Sequence, residues 1–304
     1  MSVLCGTDFS GSAGAAARVA AAIATGLGLP LKLVHVIEIR GAERPGSGAR
    51  DDLAHERLRR LQEEAGGLRT GFGLEIEVLT EYGVADEVLV ALASRFDARL
   101  LVLGSLGERR QQLWLLGSVA ERVAQASPVP VLVVRDGAGL EAWAGGLGTL
   151  RVAVGVEKTP ASEAAVQWTR GLRAIGPCEI MMVQIVWPAE EHHRMGVPTP
   201  IPLDHLRPEV ERELLRELGQ WAGDDGGPGE TSFVVRPGWG RADRHLTQLA
   251  AESDVDLLVV GTHQRAGIAR LWQGSVSRGA LHAAPMSVAC VPRRREPAPD
   301  GKAR

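Results

Sequence analysis

Residues 83–104 read GVADEVLVALASRFDARLLVLG, and residues 240–261 read GRADRHLTQLAAESDVDLLVVG. A shift of 157 superposes Gly83 on Gly240, Ala85 on Ala242, Asp86 on Asp243, Leu89 on Leu246, Ala93 on Ala250, Leu100 on Leu257 and Gly104 on Gly261. The register continues beyond the stretch, matching Gly117-Ser118-Val119 to Gly274-Ser275-Val276 and Pro128 to Pro285. The openings of the two copies also correspond, VLCGTDFSGSAGAA (3–16) against VAVGVEKTPASEAA (152–165), at a shift of 149. Chance does not hold one offset at so many positions, so the chain is an internal repeat.

Within each copy short apolar runs alternate with segments of helical period. In the first copy the runs are Val3–Cys5, Leu31–Ile37, Leu74–Leu79, Leu100–Leu103 and Val129–Val134. Near-continuous apolar strands are buried on both faces, as in a parallel sheet covered by helices. Leu53, Leu58, Leu61 and Ala65 recur at helical spacing, as do Val84, Val88, Leu92 and Phe96. In the second copy Leu206, Val210, Leu214 and Leu218 mark the corresponding second helix. Strands separated by helices of this length predict βαβ units, and hence two tandem doubly wound α/β domains. The expected boundaries are 1–136 and 150–293, with 137–149 a Gly/Ala-rich linker without sustained period and 294–304 a disordered tail.

The 304 residues suffice for two units that each bury a core. A hydrophobic fraction of 45% with 23% charged residues is the balance of a globular protein. The net charge of −3 supplies no basic field, so no nucleic-acid partner is expected. No apolar stretch approaches the ~20 residues that cross a bilayer, and Met1–Gly6 lacks the charged and apolar regions of a leader. The expectation is therefore no membrane and a cytoplasmic location. Cys5, Cys178 and Cys290 lie far apart without metal or redox spacing and are expected as buried reduced thiols.

The chemistry concentrates in GSLGERRQQLWLLGS (104–118). Ligands of open α/β sheets bind beyond the carboxyl ends of strands, where the strand order reverses. Gly104 and Gly107 bracket such a strand end, and without side chains their backbone N–H groups can approach an anion. Gly117-Ser118 then opens a helix whose N–H groups and dipole suit phosphate, with Arg109 and Arg110 near in sequence to add charge. Two plainer alternatives stay open: Ser118-x-x-Glu121 also spells a helix capping box, and Asp8 also suits a helix cap or turn.

This spacing, G-x2-G-x9-G-S, together with Val3-Leu4-Cys5-Gly6-Thr7-Asp8-Phe9-Ser10 and the strand holding His35 and Val36, resembles the universal stress protein family. The likeness covers nearly all of both halves. It implies in each a Rossmann-like domain of the adenine nucleotide alpha hydrolase kind, with a five-stranded parallel sheet of order 3-2-1-4-5. It also implies ATP, with or without magnesium, as ligand. Gly104, Gly107, Gly117 and Ser118 would hold phosphates and ribose, Asp8 would face the adenosine, and the Val36 backbone would read the adenine edge. Thr7 and Val119 complete the expected cofactor-binding set. A carboxylate is repelled by triphosphate, so Asp8 fits ribose hydroxyls or an amino group. Family members pair through the edge strand after the glycine motif. A tandem chain could make that pair internally, Val129–Val134 against Ser287–Val291. A homo-oligomer and a protein partner are left open.

The second copy departs from the pattern around one pocket. Gln264 stands in place of Gly107, Glu157 in place of Asp8 and Gln184 in place of His35, while Gly274 and Ser275 persist. That copy is expected to bind ATP weakly, to bind something else, or to serve as scaffold. Glu190-Glu191-His192-His193 is expected as a solvated loop rather than a metal site, because adjacent histidines diverge. No Walker lysine, magnesium-holding acid or nucleophile–base pair can be assigned by motif, so no catalytic residues and no metal ligands are named. The expected function is an ATP-binding regulatory stress-response protein with one intact site. The alternatives are a slow ATP hydrolase or an interaction module without a nucleotide.

Overall fold

A computed structural model describes residues 1–38, 47–105, 116–198, 200–223, 227–262 and 276–293. In the first half β1 (Ser2–Gly6), α1 (Gly11–Leu27), β2 (Leu31–Ile37), α2 (Ser47–Phe72), β3 (Ile76–Tyr82), α3 (Ala85–Arg95), β4 (Ala98–Gly104), α4 (Ser118–Ala126) and β5 (Val131–Val134) alternate strand and helix. After α5 (Ala138–Ala144) the second half repeats the order. It comprises β6 (Leu150–Gly155), α6 (Pro160–Gly171), β7 (Cys178–Val186), α7 (Pro188–Arg194), α8 (Pro208–Ala222), β8 (Thr231–Pro237), α9 (Ala242–Glu252), β9 (Leu257–Thr262), α10 (Val276–Ala283) and β10 (Ser287–Pro292).

The ten strands form one sheet in the order β3-β2-β1-β4-β5-β10-β9-β6-β7-β8. Each half is parallel in the order 3-2-1-4-5 counted along its own chain. β5 and β10 run antiparallel, with Val133 opposite Val288, Leu132 opposite Ala289 and Val131 opposite Cys290. The two edges that would otherwise expose unpaired backbone thus close on each other. Seen along the sheet, the halves are related by a pseudo-twofold between these two strands.

Local chemistry repeats with the topology. Ser10 caps α1 by accepting from the Ala13 N–H, and Thr159 caps α6 by accepting from the Ser162 N–H. One residue before each cap the backbone turns left-handed, at Phe9 (φ 65°) and Lys158 (φ 51°). The tight returns from α3 to β4 and from α9 to β9 use Asp97 (φ 46°) and Asp254 (φ 49°), a residue type that tolerates this region. Both sheet faces are covered. One face packs Val3, Cys5, Leu31 and Leu33 against α1 and α2, and its counterpart packs Ile180 and Met182 against α6 and α8. The opposite face packs Leu4, Val34 and Leu101 against α3 and α4, and Leu258 and Val260 against α9 and α10.

Four expectations change in detail. The segment expected as a Gly/Ala-rich linker without sustained period carries α5, whose Leu140 and Trp143 are buried in the core that both halves share. Helix α3 buries Leu89 and Ala93 beside the expected Leu92, with Val88 and Phe96 partly buried against the same core, and only Val84 of the expected stripe is left exposed, ahead of the helix. The third and fifth strands begin two residues later than their apolar runs, at Ile76 and Val131. The acidic-histidine cluster lies on helix α7 rather than in a solvated loop. His192 is fully buried, bonded to the Pro188 carbonyl and, through Nε2, accepting from the Arg207 N–H at 3.1 Å. It staples α7 to the start of α8. The expected tail, 294–304, lies outside the described residues.

Candidate functional site

The strand order of the first half reverses between β1 and β4, and the chain leaving each strand crosses to opposite faces there. β1 delivers Thr7 and Asp8 to this edge. The Thr7 N–H donates to the Val34 carbonyl at 2.8 Å, so the turn is tied to β2. The Thr7 hydroxyl accepts from the Phe9 N–H at 3.0 Å and donates to Glu64 Oε2 of α2 at 3.3 Å. Asp8 Oδ1 accepts from the Ser10 N–H at 3.1 Å, which makes Asp8 a turn aspartate as well as a candidate ligand-facing acid.

On β2, His35 lies on the face that carries Leu31 and Leu33, and Val36 lies on the other. His35 Nδ1 is 2.8 Å from the Thr7 carbonyl. Its ring meets the Phe9 ring with centroids 4.4 Å apart, and the Arg60 guanidinium lies 4.4 Å from the Phe9 centroid. Burial holds His35 below the ordinary imidazole range, against the pull of the Thr7 carbonyl and with help from Arg57. Desolvation raises the Glu64 carboxyl above the ordinary range, opposed by the Thr7 hydroxyl and Arg60 and reinforced by Asp8.

The other side of this rim is built from β4 and α4. A Cβ on Gly104 would stand 2.7 Å from Ser12 Oγ, 2.8 Å from the Ser12 carbonyl carbon and 2.9 Å from the Ala13 nitrogen. Only glycine lets the end of β4 pack directly on the first turn of α1. Beyond it the Ser105 carbonyl accepts from the Gly117 N–H at 2.7 Å, returning the chain to the same edge. Gly117 is the N-cap of α4 and makes no side-chain cap bond, and Ser118 is the exposed first residue of the helix. Val119 follows, half-buried. The alternative capping box does not form. Ser118 lies one position inside the helix, and Glu121 turns to the other half, 3.1 Å from Arg278 Nε and 3.2 Å from His282 Nε2.

Of the expected set, Thr7, Asp8, Val36, Gly104, Gly117, Ser118 and Val119 all fall on the carboxyl-end rim of the first half's sheet. Gly107, Arg109 and Arg110 lie outside the described residues, as do Gln264, Gly274 and Ser275 of the second copy. Sequence reasoning passed over Phe9, Arg57, Arg60 and Glu64. The last three flank the Leu61–Ala65 stripe of α2 at helical spacing, which was the available signal.

The corresponding rim of the second half is differently filled. Val156 replaces Thr7 and supplies no hydroxyl, and Glu157 is exposed, its N–H held by Ser162 Oγ at 2.9 Å. Lys158, at the left-handed position of Phe9, reaches Glu217 of α8 at 3.1 Å. Glu217 also takes two bonds from Arg194 of α7, at 2.9 and 3.1 Å, and Arg194 in turn bonds Glu191. These cations hold the Glu217 carboxyl below its ordinary range. Cys5, Cys178 and Cys290 are buried free thiols, with burial pushing Cys178 up to about 11 and Cys290 up to about 12. Among the described residues no His, Cys, Asp and Glu cluster is placed to hold a metal, and no helix is long and apolar enough to cross a membrane.

Comparison with known proteins agrees with this geometry. The model of the universal stress protein family matches residues 1–135 and again residues 149–292. A universal stress protein of Mycobacterium tuberculosis strain H37Rv is 26% identical over 297 residues, covering 94% of this chain and 95% of its own. One from Mycobacterium bovis matches to the same extent. A universal stress protein structure from Archaeoglobus fulgidus superposes with a TM-score of 0.68 at 16% identity, covering 96% of this chain and 98% of its own. That likeness is one of fold. With two family matches that together span both halves, the chain belongs to the universal stress protein family, in its tandem two-domain form.

Proposed function

We propose that the chain is an ATP-binding regulatory protein of the stress response, with one nucleotide held by the first half. The observation that carries this reading is the division of chemistry along one rim. Acceptors gather at the ends of β1 and β2, and a backbone-lined helix start faces them beyond β4. A ligand matched to both carries hydroxyl or amino donors at one end and an anion at the other, as a nucleoside phosphate does. The adenine edge would meet the Val36 backbone, Asp8 the adenosine hydroxyls, and Gly104, Gly107, Gly117 and Ser118 the phosphates, with Thr7 and Val119 beside them. Magnesium would ride with the phosphates. Units 1–136 and 150–293 joined by 137–149, a cytoplasmic location and an otherwise unidentified protein partner complete the proposal.

The second half would then serve as scaffold. Its Lys158–Glu217–Arg194 network occupies the rim that the first half leaves to Phe9 and His35, and its β10 completes the sheet. Any hydrolysis of bound ATP is slow and incidental, since no general base or Walker lysine is assigned. Titration with magnesium–ATP tests the proposal. It should give a stoichiometry near one per chain, lost in Gly107→Gln. A stoichiometry of zero would favour a purely structural role, and one near two would restore the second half as a site.

A further inference from the structure

We propose that His35 is the specificity residue of the first-half site, its Nε2 accepting a hydrogen bond from an O–H or N–H of the ligand's nucleoside moiety. This deepens the ATP reading and rests on it. A carbonyl can only accept, so the 2.8 Å contact between Nδ1 and the Thr7 oxygen places the ring proton on Nδ1. Nε2 of the neutral ring is then a lone-pair acceptor, and among the described residues nothing donates to it. The ring is fixed in that orientation. Phe9 lies against it at 4.4 Å and 35°, and Phe9 is itself set by its left-handed backbone and covered by Arg60.

The second half offers an independent observation. Gln184 stands at the equivalent place on β7, and its Oε1 is buried without a hydrogen-bond partner among the described residues. Two different side chains therefore present an acceptor at one position of the repeat, and in neither half does a described residue donate to it. His35 is part-buried, so its Nε2 stays open to a ligand donor at the rim, and a hydrogen bond made there in a partly desolvated site adds to affinity.

Protonation would reverse the sign of the contact. An imidazolium carries N–H on both nitrogens and turns the Nε2 acceptor into a donor facing a donor. The charged groups acting on the ring are Asp8 after β1 and Arg57 and Arg60 of α2, with Glu64 beyond them bonded to the Thr7 hydroxyl, while β3 sets the uncharged Thr80 opposite it. Burial keeps the ring neutral at pH 7.5, so affinity should fall as the pH drops below the ordinary imidazole value.

The test measures affinities of magnesium complexes of ATP, 2′-deoxyATP, 3′-deoxyATP and inosine triphosphate for the wild type, His35→Gln and His35→Leu. At pH 7.5 ATP should bind about tenfold more weakly to His35→Leu and within about threefold of wild type to His35→Gln, whose amide oxygen restores an acceptor. In the wild type the analogue lacking the donor should lose about the same factor, and in His35→Leu that loss should vanish. This pattern identifies hydroxyl or amino group. Between pH 7.5 and 5.5 the wild type should weaken more than His35→Gln, which controls for Asp8 and Glu64. Should His35→Leu not fold, the analogue series in wild type and the two pH profiles decide alone. Equal binding of all four ligands by the wild type, or superimposable pH profiles, would overturn the inference. Absence of ATP binding by the wild type at every pH would instead overturn the ATP reading on which it rests.

Discussion

Glu64 stands half-buried over the end of β1, where it accepts from the Thr7 hydroxyl and lies near Asp8 and Arg60. Its carboxyl holds a proton more tightly in the folded chain than in the unfolded one, mainly through desolvation. Such a group favours folding below its unfolded pKa and loses that contribution as the pH rises through its folded value. Glu64→Gln keeps an acceptor for Thr7 and removes the charge. The expected outcome is an unfolding midpoint about 1–2 °C above wild type at pH 7.5, with no gain near pH 4. A midpoint below wild type at pH 7.5 would mean that the Arg60 attraction outweighs desolvation. Residues such as Thr7, Asp8 and Gly117 were legible in the sequence because strand-end and helix-start positions constrain residue type. Glu64 and Phe9 were not. Glu64 depends on the rotation of a 26-residue helix, and Phe9 on a left-handed turn that its side chain does not advertise.

Each helix that follows a first strand meets the strand that returns beside it through a single glycine. A Cβ on Gly104 strikes the α1 backbone at 2.8 and 2.9 Å, and a Cβ on Gly261 strikes the Ala161 oxygen and carbonyl carbon at 2.5 and 2.6 Å. Neither contact can be relieved by a rotamer change, so α1 or α6 must move. Gly104→Ala and Gly261→Ala should each destabilise by about 1–3 kcal/mol in denaturant unfolding. Only Gly104→Ala should weaken ATP, because only α1 and β4 frame the proposed site. Equal weakening by both would place nucleotide binding in both halves. The strands were legible as uninterrupted apolar runs, since burial on both faces leaves no room for polar residues. Helices α5 and α7 were not. Each has seven residues, too few to show a period, and each takes its helical state from packing that local sequence does not record: Leu140 and Trp143 in the core, His192 against α8.

The ten-stranded sheet makes the two halves one body, and the join is asymmetric in a way a homodimer cannot be. Glu121 and Arg278 occupy equivalent positions of the repeat and pair with each other at 3.1 Å, where two identical copies would set like charges together. Arg135, half-buried just past β5, donates to the Leu281 carbonyl of α10 at 2.6 Å and through its N–H to Ser287 Oγ at 3.2 Å. Its guanidinium thus meets the negative end of a helix from the other half. Arg135→Ala should lower stability by about 1–2 kcal/mol, read from the denaturant midpoint. Unchanged stability would show that strand pairing alone holds the halves. At this scale the repeat made the fold legible, and the offset comparison also located the residues that differ between the two rims. What each difference does became visible only with the Lys158–Glu217–Arg194 network in place. On the proposed reading this asymmetry leaves one nucleotide site per chain. Mass spectrometry of the small molecules released on denaturing the purified chain tests it most directly: one adenine nucleotide per chain is the expected result, and none, or two, would contradict it.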